Sequence, residues 1–289
     1  MGARYSVLKA VRGSSDLAWR WGFNLGPTID HRRRRSTACG EVDDIVDAVR
    51  RDGIAISTID ALPSTRAPFE AVAESIARRP DVPQDEPASL LGAFPQLGWD
   101  DPALALATAS DITRVADIYF GLTTRVLECK VWRTCASESE PSGSQLWHRD
   151  RPADRRMLKC FVYLTDVRAD NGPFSFVPGT HALGARASLT PTSTPSRYVP
   201  RTTDDEMARW APRETWRIAT GPAGTVVFAD TSGLHRGGWV TSGQRTAFMA
   251  HFGSQAAWQK PRFALVGAAP SDSLLSYRVG RGRVRTRRR

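Results

Sequence analysis

"LWHRDRPADRR", Leu146 to Arg156, holds the letters on which the reading of this chain turns. His148-Arg149-Asp150 opens the catalytic loop of protein kinases, but it is also His-x-Asp, two-thirds of an iron site. The kinase alternative demands partners at fixed places, and they are missing. Arg155 stands where a magnesium-binding Asn is needed, no Asp-Phe-Gly follows, and no Gly-x-Gly-x-x-Gly loop precedes. In an extended segment, residues i and i+2 share a face, so His148 and Asp150 would project to one side as a chelating pair.

The surroundings of this stretch read as strands. "CKVWRTC", "MLKCFVYLTDV", "PFSFVPG", "TWRIATG", "GTVVFAD" and "RTAFMAHFG" alternate or are β-branched, and each is bounded by Gly, Pro, Asn or Asp. Short strands at this spacing predict a mainly β fold with flanking helices, its core a sandwich or jelly roll rather than a parallel sheet. A third ligand must come from a distant strand, and His235 in "GTVVFADTSGLHRGG" supplies it. Two His and one carboxylate on one face of iron(II) leave the opposite positions open.

Upstream, "EVDDIVDAVRRDG" puts Val42, Ile45, Val46 and Val49 on one helical face ended by Gly53, and "IAISTI" follows as a strand. Helices are expected over Ser64 to Arg79, with a Ser cap, and over Ser110 to Glu128. The organisation is then an N-terminal arm, partly irregular, over 1–40, and a main domain over 41–279. That domain divides into helical support (41–128) and a jelly-roll core (129–266) with a long polar loop at 184–212, and a basic disordered tail (280–289) follows. The net charge of +10 resides in Arg32 to Arg35 and in the Arg-rich end from Arg281, so the body is close to neutral and nucleic acid is not the expected partner. No apolar run approaches the roughly 20 residues that span a bilayer. A soluble, cytoplasmic protein is expected, with Cys39, Cys129, Cys135 and Cys160 reduced.

His-x-Asp alone is a weak signal. It is followed in order by "NGPFSFVPGTH" (Asn171 to His181), "LHRGG" (Leu234 to Gly238) and Arg245 ten residues after His235. With these, the chain resembles the phytanoyl-CoA dioxygenase family of iron(II)/2-oxoglutarate oxygenases, over about Lys130 to Phe252 with a weaker echo at 41–58. The resemblance implies a double-stranded β-helix (jelly roll, cupin-like) core, metal ligands at His148, Asp150 and His235, a 2-oxoglutarate anchor at Arg245, and Fe(II), 2-oxoglutarate and O2 as cofactor and cosubstrates. No catalytic residue beyond the metal centre is implied. Gly237 stands where some members carry a hydroxyl residue that helps the oxoglutarate carboxylate. Halogenating relatives have a small residue in place of Asp150, so oxygenation or desaturation is implied instead.

Lys130 and Arg133, on the strand before the site, are further candidates for the cosubstrate, against a reading as solvated or ion-paired strand residues. Trp147, Arg236 and Trp239 flank metal ligands and are candidates for a substrate pocket; His181 and His251 read as structural. The expected function is hydroxylation or desaturation of a small molecule, with secondary metabolism suggested by composition. The alternatives are the same chemistry as a nucleic-acid demethylase, and a non-catalytic binding protein that keeps the fold.

Overall fold

The computed structural model describes residues 15–34, 40–78, 96–151, 153–189, 201–267 and 271–280. Ten strands run through it: β1 (Ile54–Thr58), β2 (Gln96–Gly98), β3 (Arg125–Cys135), β4 (Leu158–Tyr163), β5 (Phe174–Phe176), β6 (Arg217–Ala219), β7 (Thr225–Ala229), β8 (His235–Arg236), β9 (Gln244–Gly253) and β10 (Ala264–Val266). The major sheet has the order β1-β7-β4-β9-β3 and the minor sheet the order β6-β5-β8. Every pairing in these two sheets is antiparallel. β2 and β10 form a small parallel pair.

Alternation on the major sheet separates core from site. On β4, Leu158, Cys160 and Val162 enter the main hydrophobic core, while Lys159, Phe161 and Tyr163 line a cavity. On β9, Phe248, Ala250 and Phe252 join the same core, and Arg245, Ala247 and Met249 line the cavity. The register Lys130↔Met249 and Thr134↔Arg245 continues both faces onto β3.

Helices cover the core face: α1 (Leu25–Arg34), α2 (Glu41–Asp52), α3 (Arg66–Ala77), α4 (Pro102–Ala107) and α5 (Ser110–Phe120). α2 buries Val42, Ile45, Val46 and Val49, as its period predicts, and stops where Gly53 adopts φ 84° and caps Val49 O. A side chain there would strike His181 and Phe176, since an added Cβ would lie within 2.8 Å of both. Two helix boundaries differ from expectation. Ser64 does not cap α3; its hydroxyl and amide bind Asp111 instead, and α3 begins at Arg66. α5 ends at Gly121 (φ 71°), where the chain turns and Thr124 hydrogen-bonds back to Asp117; the residues up to Glu128 that read as helix belong to β3.

Two shorter helices, α6 (Asp204–Ala208) and α7 (Ser273–Val279), complete the fold. Arg278 of α7 forms a buried two-pronged pair with Asp117 of α5. Cys129 and Cys160 are buried and Cys135 partly so, all as free thiols, while Cys39 lies outside the described residues. So do 190–200 of the polar loop and 281–289 of the basic tail. No helix among the described residues is long and apolar enough to cross a membrane.

The segment before α1 contains ordered structure, a π-helical turn over Ala18–Phe23. Its Trp19 is fully buried against Phe120 and donates through Nε1 to Asp154 (3.0 Å). Asp154 also accepts from the amides of Arg155 and Ser254. Through Trp19 the described part of the arm is therefore joined to the core. Trp19→Ala is expected to cost about 3–5 kcal/mol of unfolding free energy, from lost packing and a carboxylate deprived of a donor. Leu17→Ala, at a position 71% exposed, should cost about 0.5 kcal/mol or less, and denaturant unfolding of both variants checks the contrast.

Candidate metal centre

His148 and His235 face each other through the backbone before their side chains are considered. His148 N donates to His235 O and His235 N to His148 O, both at 2.9 Å, so the segment carrying the His-x-Asp extends the minor sheet beyond β8. Residues directly opposite in an antiparallel pair share a face, and the two imidazoles lie 4.3 Å apart between centroids.

Each ring is oriented by a local hydrogen bond. His148 Nδ1 lies 2.8 Å from Leu146 O and His235 Nδ1 lies 2.9 Å from Gly233 O. A carbonyl only accepts, so each Nδ1 carries the proton and each Nε2 presents its lone pair. Both Nε2 atoms point at Asp150, at 3.8 Å from Oδ1 and 3.7 Å from Oδ2. One donor atom from each of the three residues lies within 4.8 Å of the others, a set that one small cation can gather.

Burial, with the second imidazole as a lesser cause, lowers the His148 pKa to about 3, and burial likewise lowers that of His235. Both rings are neutral at physiological pH, as ligation requires. Burial opposes ionisation of Asp150, but the Lys159 ammonium, 2.6 Å from Oδ2, overcomes it and holds the carboxyl well below its ordinary range. Two neutral nitrogens and one ionised oxygen are the donors that non-haem iron(II) takes, so the residues fit the ion.

The centre opens onto a cavity of about 450 Å³ between the two sheets. Arg245 lines it from β9, 5% exposed, with Nη1 donating to Gly237 O and Nε buried without a partner. Gly237 also borders the cavity, so the missing hydroxyl leaves space beside the guanidinium. Lys130 reaches the cavity too, but its ammonium is engaged by Glu128 at 3.2 Å.

Four further candidates do not line the cavity, while His181 and His251 lie outside it as expected. Arg133 is opposite Thr246 and one residue out of phase with Trp132 and Thr134, which line the cavity; it faces away. Trp147 is out of phase with His148 and turns into a separate core, edge-on to Trp216, with Nε1 donating to Asp204. Arg236, out of phase with His235, pairs with Asp204 at 3.0 Å. Trp239 lies past the turn at Gly238 (φ 70°) and is not in the cavity wall. His181 is buried with Nε2 against Arg50 O, and His251 is buried in β9. Lys159 was not singled out, although its alternation with Phe161 and Tyr163 places it on the metal face; Arg201, from the polar loop, has no such periodic signal.

The comparisons with known proteins coincide with this geometry. The model for phytanoyl-CoA dioxygenase (PhyH) matches residues 110–247, a span that contains His148, Asp150, His235 and Arg245. Residues 110–247, just under half of the chain, are thus similar to that family. The ectoine dioxygenase of Stutzerimonas stutzeri (strain A1501) is 31% identical over 104 residues, covering 32% of this chain and 33% of that relative. The match therefore spans about a third of the relative's length. The chain shares its fold with the epimerase SnoN from nogalamycin biosynthesis (22% identity, TM-score 0.53, 81% of this chain and 88% of that one). It also shares it with EctD from S. alaskensis (17% identity, TM-score 0.53, 86% and 87%). The double-stranded β-helix architecture is thus shared with these proteins.

Asp150→Ala removes one donor and leaves the Lys159 ammonium unopposed beside the metal. Iron(II) affinity, titrated without oxygen, is expected to fall at least about tenfold; unchanged affinity would place the metal elsewhere.

Proposed function

We propose that this chain is an Fe(II)- and 2-oxoglutarate-dependent dioxygenase that hydroxylates or desaturates a small molecule, with secondary metabolism as its setting. The observation that carries the proposal is the convergence of two Nε2 lone pairs and one ionised carboxylate at the mouth of a cavity holding a buried guanidinium. The ectoine dioxygenase relative, and fold neighbours described with bound Fe, with 2-oxoglutarate and 5-hydroxyectoine, and with Fe3+ and alpha ketoglutarate, support it.

When bound, iron(II) supplies dioxygen activation coupled to decarboxylation of 2-oxoglutarate to succinate and CO2. The protein's own residues prepare this in separate ways. His148, Asp150 and His235 would hold the ion from one side. Arg245, at the base of β9, would take the far carboxylate of the cosubstrate in a planar two-pronged contact. Tyr163 beside it is tied at both ends, accepting from Phe174 N and donating to Ala219 O, so it keeps a fixed wall and leaves Arg245 for the cosubstrate. Phe161 and Phe174, 4.8 Å apart, exclude water from the same side.

The test is iron-dependent conversion of 2-oxoglutarate to succinate by the full chain. Its loss in Asp150→Ala is expected, and failure of the unsubstituted protein to convert would favour a binding protein that keeps the fold. Arg245→Lys retains the charge without the planar fork and should weaken 2-oxoglutarate binding roughly tenfold or more, about 1.4 kcal/mol, with iron affinity preserved. Unchanged oxoglutarate affinity would move the anchor away from Arg245.

A further inference from the structure

The polar loop returns to the site at one residue. Thr202 is hydrogen-bonded to Trp147 in both directions, N to O at 3.0 Å and 2.9 Å, which adds a fragment to the edge of the minor sheet beside the His-x-Asp segment. One step along this antiparallel pair, Arg201 comes opposite His148 and shares its face. Its side chain accordingly lines the cavity of the metal centre.

Of the five cations that line that cavity, three meet a carboxylate. Glu128 is flanked by Lys130 at 3.2 Å and Arg262 at 3.5 Å, and Asp150 is paired with Lys159. The two lining cations left without a carboxylate are Arg245 and Arg201. Arg245 sits deep on the major sheet and is assigned above to the cosubstrate. Arg201 is on the opposite sheet, forms no ion pair among the described residues, and has its Nη1 buried with no hydrogen-bond partner. A guanidinium that is partly desolvated and unpartnered at the edge of a cavity is at a free-energy disadvantage which an incoming oxyanion relieves. An iron(II) ion and a dianionic cosubstrate cancel each other, so their binding leaves this positive surplus in place.

We propose that Arg201 anchors an oxyanion of the substrate to be oxidised, a carboxylate, sulfate or phosphate, and that the substrate of this enzyme is an organic anion. The inference rests on the oxygenase reading. It assigns the two guanidiniums to different molecules: Arg245 holds the cosubstrate from the major sheet, and Arg201 holds the substrate from the minor sheet.

The experiment uses the full chain loaded anaerobically with iron(II) and saturating 2-oxoglutarate. Acetate and sulfate are titrated in turn at constant ionic strength and binding is followed by thermal shift and calorimetry. At least one of them is expected to bind saturably, with affinity lowered roughly tenfold or more in Arg201→Gln and partly restored in Arg201→Lys. The affinity for 2-oxoglutarate should remain within about twofold in both variants. Preference for acetate identifies a carboxylate substrate, and preference for sulfate a tetrahedral oxyanion. Absence of saturable binding, or equal binding in Arg201→Gln (an adventitious ion only), overturns the proposal. A parallel loss of 2-oxoglutarate affinity in Arg201→Gln also overturns it, by moving Arg201 into the cosubstrate site. If the unsubstituted protein binds no 2-oxoglutarate, the oxygenase reading fails and this inference falls with it; intact 2-oxoglutarate binding without a second anion site overturns this inference alone.

Discussion

The backbone pairing of His148 with His235 is the constraint on which the site depends. Two hydrogen bonds at 2.9 Å fix the register between segments far apart in sequence, and a slip of either strand by one residue would turn its imidazole out of the cavity. Pairing continues outward on both sides, through Phe176 to the rest of the minor sheet and through Trp147 to Thr202. Arg149, between two ligands, points to the opposite side and donates to the carbonyls of Thr180, Ser232, Ala187 and Leu189. It fastens the turn after Pro178 to the strand that carries the metal ligands. The three candidate ligands are thus held by backbone geometry and a guanidinium staple.

The major sheet contributes the opposite wall, with a division of labour enforced by the pleat. Apolar residues of β3, β4 and β9 face the helices, and charged or aromatic residues face the metal. Burying so many charges is tolerable because each carboxylate is met by an ammonium or guanidinium at hydrogen-bond or ion-pair distance. The cations that remain unmatched are the groups with ligands to find.

Legibility from sequence followed how local each determinant is. The helix over Glu41–Asp52 and its Gly53 stop are written in consecutive residues, as are the strands "LKCFVY" and "RTAFMAHF", whose alternation separates core from cavity. The metal-ligand candidates were legible because His-x-Asp encodes a shared face. The same alternation argues against Trp147 and Arg236, each one residue from a ligand, and chain proximity was a poor guide there. The helix ending at Phe120 was extended too far because "TTRVLE" suits either pattern, and only the left-handed Gly121 and the Asp117 contacts decide it. Arg201 was invisible since its place depends on a pairing with Trp147 across more than fifty residues, which no local period reports.

The burial of the N-terminal segment has a consequence for how the chain acquires its structure during synthesis. Trp19 closes on Asp154, 135 residues later, and Asn24 accepts from the amide of Ala256, 232 residues later. At about 5–20 residues per second, the ribosome separates Asn24 from Ala256 by roughly ten to fifty seconds. Until Phe120 and Asp154 are made Trp19 lacks its partners, and until Ala256 is made Asn24 Oδ1 lacks its donor. A segment made early is thus among the last to finish docking.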